Sequence, residues 1–458
     1  MKCSRSDVRC KVHAIPTLRF ESQSLTSFAG LVVFQRFFAL LGLKARLARC
    51  FSHLQDGKIF SPGTVFFQLI LHIILGYRHL RDCHYYRDDP LVQRILGLKR
   101  LPDVATVSRV LKGADGNSVE NLRGLLRQIT FERLRSLGLA RITLDFDGSV
   151  QSTGRFAEGT AVGFNKKKKG ARSYYPLFCT LAQLGQVFDF LHRPGNVHDS
   201  NGAKAFILEC IDAIQAALPN AQIELRMDSA FFSDEIVMAL HARGVEFTIS
   251  VPFERFAKLK GMIEERCRWR RLNGDTWYFE TPWKPDRWNR RFRFLFIRTK
   301  AKKQRKGPVQ LDLFVPHEYG YEFKVIVTNK TLRAKGVTAY HEGRGSQEGI
   351  FAELKSHCHQ DYVPVRTLCG NQIYLLAGVF AYNLARELQM RTAAPSRRTT
   401  ASRASFWVFE RIGTLRKTLI QRAGRFTRPT GALTLTISAN AWIKNRMLQM
   451  LGSIQTTA

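Results

Sequence analysis

The feature that most limits the fold of this chain is a switch between two hydrophobic periods in residues 141–251. Residues 141–146 alternate and are rich in β-formers, and 174–181 and 187–191 are two more short runs around a turn that contains Gly185. Residues 201–218 then carry apolar side chains at helical spacing, 223–227 return to a strand pattern, 233–243 to a helix and 246–251 to a strand. A period of two lines one face of a sheet, whereas a period of 3.6 lines one stripe of a helix. The order is therefore three strands, helix, strand, helix, strand. Three hairpin-linked strands followed by strand–helix–strand units predict an α/β (α+β) fold, a mixed sheet with helices packed on it.

The flanking regions read differently. Residues 27–138 are mostly helical, with apolar spacing over 28–47 and 65–80 and Pro and Gly between. Within them Leu101-Pro102-Asp103 leads into a helix that Asp103 caps, with Thr106 and Arg109 on one face. Such a helix either enters a DNA groove or packs in a structural bundle, and both readings stay open. Residues 253–306 hold 18 Lys/Arg against 6 Asp/Glu and four of the six tryptophans: Trp269, Trp277, Trp283 and Trp288. A strand over 322–328 and helices over 346–358 and 371–390 follow. Residues 392–405 have linker composition, and the chain from Arg386 onward carries 13 Lys/Arg against 2 Asp/Glu, which reads as a basic arm with some helix in it.

Charge narrows the partner. Seventy-one Lys/Arg against 37 Asp/Glu leave a net +34, which argues against a small neutral substrate and for a polyanion, nucleic acid or an anionic membrane surface. No membrane role is expected, because the longest apolar run, 65–75, is interrupted by Gln68 and His72 and falls short of the roughly 20 residues of a spanning helix. The first residues, Met1-Lys2-Cys3-Ser4-Arg5, have no apolar stretch directly behind them, so no secretory signal is expected. Nine scattered cysteines without a C-x-x-C pair predict reduced thiols in a cytoplasmic protein.

In a chain this poor in acids, carboxylates at strand ends stand out. Leu144-Asp145-Phe146-Asp147-Gly148-Ser149 puts Asp145 and Asp147 on one face at the end of the first strand, and Leu225-Arg226-Met227-Asp228 puts another acid at the end of the fourth. If those strands pair, the acids converge at one sheet edge. A third acid, Glu348, lies near the start of a helix in Tyr340-His341-Glu342-Gly343-Arg344-Gly345-Ser346-Gln347-Glu348, with Phe351, Ala352 and Lys355 at helical spacing after it. Phosphodiester chemistry with two hard cations about 4 Å apart needs such a set. Mg²⁺, for which Mn²⁺ substitutes, takes carboxylate, water and substrate oxygens rather than thiolate or imidazole.

Three blocks in order then carry a resemblance. Residues 144–177 resemble the first-aspartate block of DDE transposases from bacterial insertion sequences: Asp147 at a strand end, Gly154-Arg155-Phe156-Ala157-Glu158-Gly159, Gly163-Phe164-Asn165, the run Lys166 to Lys169, and Tyr174-Tyr175-Pro176-Leu177. Residues 226–232 resemble the second-aspartate block. Residues 340–355 resemble the Tyr-Arg-Glu-Lys signature of the group with a β-strand insertion before the last acid. Arg344, Glu348 and Lys355 keep that spacing, while Tyr340 departs, with three residues before Arg344 in place of two. The resemblance implies a ribonuclease-H-like core, which the strand order matches. It also implies a metal-binding catalytic triad of Asp147, Asp228 and Glu348; Asp147 fits better than Asp145 because a small residue and then Ser follow it.

By the same resemblance Tyr340, Arg344 and Lys355 contact phosphates at the transposon end. Lys166, Lys167, Lys168 and Lys169 are either DNA-backbone contacts or a solvated loop. A tryptophan of the insertion, with Trp288 favoured by its basic neighbours, either stacks on a flipped base or packs the insertion's own core. The expected layout is an N-terminal arm (1–26), a helical end-binding region (27–138), a split core (139–252 and 321–391) around a basic, Trp-rich β insertion (253–320), and a linker with a basic helical tail (392–458). The expected function is Mg²⁺-dependent DNA transposition at terminal inverted repeats and target DNA, by a homodimer on DNA in the bacterial cytoplasm at the nucleoid. The alternatives are a catalytically inactive, transposase-derived repressor and a nuclease that cuts without joining.

Overall fold

The computed structural model describes residues 17–21, 23–55, 57, 59–163, 165, 168–198, 201–301, 320–400 and 402–456. Lys166, Lys167, Asp199 and most of the N-terminal arm lie outside them, as do residues 302–319 of the insertion.

The predicted strand and helix order is present. Strands β1 (Arg141–Gly148), β2 (Leu177–Leu181), β3 (Gln186–Leu191), β4 (Gln222–Met227) and β5 (Glu246–Val251) are joined after β3 by helices α6 (Ala203–Ala217) and α7 (Asp234–Ala242). In the sheet they lie in the order β3-β2-β1-β4-β5, with β1–β2 and β2–β3 antiparallel and β1–β4 and β4–β5 parallel. Alternation along β1 and β4 sorts the two faces. Ile142, Leu144, Phe146, Ile223, Leu225 and Met227 form one buried core with α6 and α7, and Phe146 meets the Phe206 ring edge-on at 6.0 Å. The opposite face carries Thr143, Asp145, Glu224 and Arg226.

The insertion extends the main sheet; Phe294 and Phe296 join the main core, while Leu295, Ile297 and Ile326 form a small separate cluster with Ala334 and Val337. Strands β6 (Arg270–Asn273), β7 (Thr276–Trp283), β8 (Phe292–Lys300) and β9 (Tyr321–Thr328) pair antiparallel in sequence, and β9 pairs with β5, so the sheet continues to nine strands among the described residues. Trp283 and Trp288 are buried in the same core as α6 and α7.

The N-terminal helices are equally inseparable. Helices α1 (Leu31–Leu40) and α2 (Leu43–Cys50) break at Gly42, whose φ of +57° suits a residue without a Cβ. Helix α3 (Pro62–Leu75) starts on the Ser61 cap with Pro62 in its first turn and is buried on all sides, which makes it a central helix. Its two polar interruptions are accommodated: Gln68 Nε2 donates to the Pro102 carbonyl at 3.1 Å, and His72 Nδ1 lies 3.0 Å from the Tyr86 hydroxyl. Burial pushes the His72 pKa down to about 3, so the ring is neutral. Among the described residues no helix is long and apolar enough to cross a membrane. The Asp103 cap of α4 (Val104–Lys112) forms as read, with Thr106 N donating to it at 2.8 Å. Helix α5 (Gly116–Leu137) leads into β1.

Helix α3 packs along α10 (Leu368–Thr392), with Phe66 edge-on to Phe380 at 5.7 Å. The C-terminal region, expected as a basic arm, returns to this body. Gly424–Thr427 pairs with Leu25–Thr26, and helix α11 (Ala441–Thr456) buries Ile443, Met447, Met450 and Ile454 in the core that holds α1, α3 and α10. The expected linker is tied to this body at its start, where the Ala393 carbonyl accepts from the indole N–H of the buried Trp407 at 2.9 Å. The apolar positions of the tail are spaced among basic ones, so net charge concealed its buried face.

On the polar face of the main sheet one pair is fully enclosed. Arg226 and Asp145, cross-strand neighbours, are each 1% exposed. Arg226 Nε and Nη2 donate to the two Asp145 oxygens at 2.6 and 2.7 Å, and Nη1 donates to the Tyr340 carbonyl at 3.2 Å. Tyr340 belongs to α8 (Ala334–Glu342), and Gly343 follows it; a Cβ there would lie 2.1 Å from Arg226 Nη1. Burial pushes the Asp145 carboxyl upward while the guanidinium pulls it down.

Two outcomes are expected. Asp145→Asn leaves the Arg226 charge buried without its counter-ion and should cost about 3–5 kcal/mol in denaturant unfolding; an unchanged midpoint would show that the pair is dispensable. A chain lacking residues 1–135 exposes the faces of α10 and α11 that those residues cover and should aggregate, whereas a soluble fragment with a cooperative melt would make the N-terminal region an independent domain.

Candidate active site at the strand ends

The site grows out of the register between β1 and β4. Thr143 pairs with Glu224 and Asp145 with Arg226, and the ladder between the two strands ends at Phe146 and Met227. Asp147 comes next on β1 and Asp228 directly after the end of β4, and adjacent strands lie about 4.8 Å apart. The first two rungs are satisfied pairs: Thr143 Oγ1 donates to Glu224 at 2.6 Å, and Arg226 holds Asp145. Beyond the last paired residues a carboxylate follows at the end of each of the two neighbouring strands, an arrangement that nearby positive charge favours.

Both acids have local partners. Asp147 Oδ1 accepts from the Gly148 N–H at 2.8 Å, and its Oδ2 lies 3.4 Å from Arg344 Nη1. Asp228 leaves the sheet to cap the short turn Ser229–Phe231, accepting from Ala230 N–H at 2.9 Å. Helix α9 (Ser346–His357) is docked on both sides of its Glu348. Gln347 Nε2 donates to the Asp145 carbonyl at 3.0 Å, and Phe351 meets the ring of Phe178, the cross-strand partner of Asp147, at 5.3 Å. Glu348 itself is exposed in the first turn, where the helix dipole favours a negative charge. Among the described residues no three His, Cys, Asp or Glu side chains are gathered as a metal-holding group. The donor chemistry of Asp147, Asp228 and Glu348, all hard oxygens, suits Mg²⁺ or Mn²⁺.

The other sequence candidates separate. Arg344 sits at Asp147. Lys355 and Lys168 line a cleft of about 1210 Å³ whose surface includes Gly148, the residue after Asp147. Lys169 is exposed beside Lys168, and Lys166 and Lys167 lie outside the described residues. Arg109 is exposed on α4 and donates to Thr106 Oγ1 at 3.1 Å. Two candidates are withdrawn from the surface. Tyr340 is 5% exposed, with Lys330 Nζ 4.3 Å and Arg226 Cζ 5.3 Å from its ring centre, and burial raises its hydroxyl pKa well above the usual range. In the structure it packs between these side chains rather than at the surface. Trp288 is also 5% exposed, 5.0 Å from the Phe232 ring and 6.0 Å from Phe292, so it has no free face for a base.

Sequence reading missed Arg226 and Gln347, which connect the acid-bearing strands to α8 and α9. A signal existed for the first: an arginine inside the apolar run 223–227, two residues before Asp228, needs a buried counter-ion, and Asp145 was the acid left over.

A family model described as Transposase DDE domain group 1 matches residues 10–458. No curated protein matches the chain. Among solved structures it is similar to the piggyBac transposase synaptic complex with hairpin DNA, at 11% identity and a TM-score of 0.40, over 86% of this chain and 80% of that one. It is also similar to the Mos1 transposase paired-end complex with left transposon end, at 11% identity and a TM-score of 0.18, over 53% and 62%. With a family match over nearly its whole length, the chain belongs to the DDE transposases, domain group 1.

Proposed function

We propose that this transposase has a ribonuclease-H-like core of the Tyr-Arg-Glu-Lys group, and that it binds the terminal inverted repeats of an insertion sequence, cleaves DNA there and joins the freed end to target DNA. The observation that carries the reading is the register of β1 and β4, two paired neighbouring strands that end in Asp147 and Asp228 just beyond two satisfied polar pairs. Asp147, Asp228 and Glu348 would hold Mg²⁺ or Mn²⁺. When bound, the ions supply Lewis acidity at the scissile phosphate and lower the pKa of water.

The chain's own residues do the rest. The buried Arg226–Asp145 pair and Gln347 hold β1, β4 and α9 in one frame. Arg344, beside Asp147, is placed to meet a phosphate oxygen. Hydrolysis breaks one P–O bond and leaves a 3′-hydroxyl; joining forms a bond from that oxygen to a target phosphorus and releases the target's 3′-oxygen. Handling two ends calls for a homodimer on DNA. A catalytically inactive DNA-binding protein is the second reading, favoured by the lack of a gathered three-acid cluster among the described residues.

The test is cleavage of DNA carrying the element's end, with Mg²⁺, by wild type beside Asp228→Ala and Glu348→Ala. Cleavage by wild type and a loss of about three orders of magnitude in both variants, with end binding kept within a few-fold, is expected from the several kcal/mol that metal ions supply. Tight binding without cleavage by any of the three would establish the inactive reading.

A further inference from the structure

The cleft beside the strand ends is assembled from segments far apart in the chain. Residues 148–150, directly after Asp147, form part of it, as do residues 78–81, Val104 and Ser108 of the helical body and residues 361–364 beyond α9. Five cations line it, Arg78, Arg81, Arg155, Lys168 and Lys355, against one carboxylate, Asp361, which Arg78 already engages at 2.8 Å. Arg81 and Arg155 are exposed, and neither forms an ion pair with a described carboxylate. Cations left without internal partners in a concave surface focus a positive field on an anionic ligand.

Aromatic surface stands among these charges. The Tyr362 ring lies edge-on to His79 at 5.2 Å and to Tyr374 at 5.5 Å, so it is held from two sides while remaining half-buried. Cations around a fixed ring suit a ligand that carries both phosphates and bases. Size selects its form. About 1210 Å³ accommodates a few nucleotides of one strand, whereas one turn of duplex, roughly 35 Å long, occupies roughly ten times that volume.

We propose that this cleft holds a short unpaired DNA strand leading away from Asp147 and Asp228, with phosphates on Arg81, Arg155 and Lys168 and a base against Tyr362. The proposal rests on the reading of the site as one that cuts DNA, since cutting frees a strand end beside the cleft that is able to part from its complement. It accounts for the cations of residues 78–81 and 155, which the acidic site does not use.

The test is binding by the full chain in EDTA, so that the outcome does not depend on cleavage. The probes are a fluorescein-labelled single strand of about 12 nucleotides and a duplex of the same sequence. Arg81→Ala/Arg155→Ala, both at exposed positions, should weaken single-strand binding at least about tenfold and flatten the slope of log K against log salt by about 1.4, with duplex affinity within about threefold. Tyr362→Leu should weaken single-strand binding about fivefold or more with the slope unchanged, and Tyr362→Phe should restore it. Equal losses for strand and duplex, no loss for either, or no single-strand binding by wild type would each overturn the proposal.

Discussion

The Arg226–Asp145 pair is the contact on which the arrangement of this protein turns. It joins the two strands that end in Asp147 and Asp228, and through the Tyr340 carbonyl it reaches the helix preceding α9. A buried ion pair adds little net stability, because desolvating both charges offsets most of their attraction. Its effect is directional. A bidentate guanidinium tolerates only a narrow range of positions, so the strand ends, the α8–α9 junction and the glycine at 343 are specified together. Gln347 adds a hydrogen bond to the same residue of β1 from the other helix.

Around that frame the chain forms one connected body rather than a string of modules. The β insertion lengthens the central sheet through β9 and β5, and the N-terminal helices close over α10 together with α11. The cleft exists because of this closure, since residues 78–81 from one end of the chain face Gly148 and Lys355 from the middle. A cleft made in this way cannot be detached from the core without losing the wall that shapes it.

Much of this was legible in residue patterns. Strand and helix order from 141 to 251 followed from period alone, and the acids at the ends of β1 and β4 followed from their positions in those strands. Roles that depend on burial were not legible. Trp288 beside four arginines reads equally as a base-stacking or a packing residue, and in the structure Phe232 and Phe292 lie against it. Tyr340 stands one residue off the motif spacing before Arg344, and its ring lies under Lys330 and Arg226. The tail after Arg386 reads as a basic arm because charge is counted along the chain, while packing depends on which face Ile443, Met447, Met450 and Ile454 share.

The sequence by itself determined the alternation of elements, the basic character that calls for a polyanion, and the candidate acids, because these depend on periodicity and charge that are local to each segment. Only the tertiary structure decided that β1 and β4 are neighbours in register, that Arg226 neutralises Asp145 so that Asp147 is the acid left at the edge, and that five cations from distant segments meet in one cleft. The physical reason is that strand pairing, desolvation and concavity are relations between segments, and no segment carries them alone.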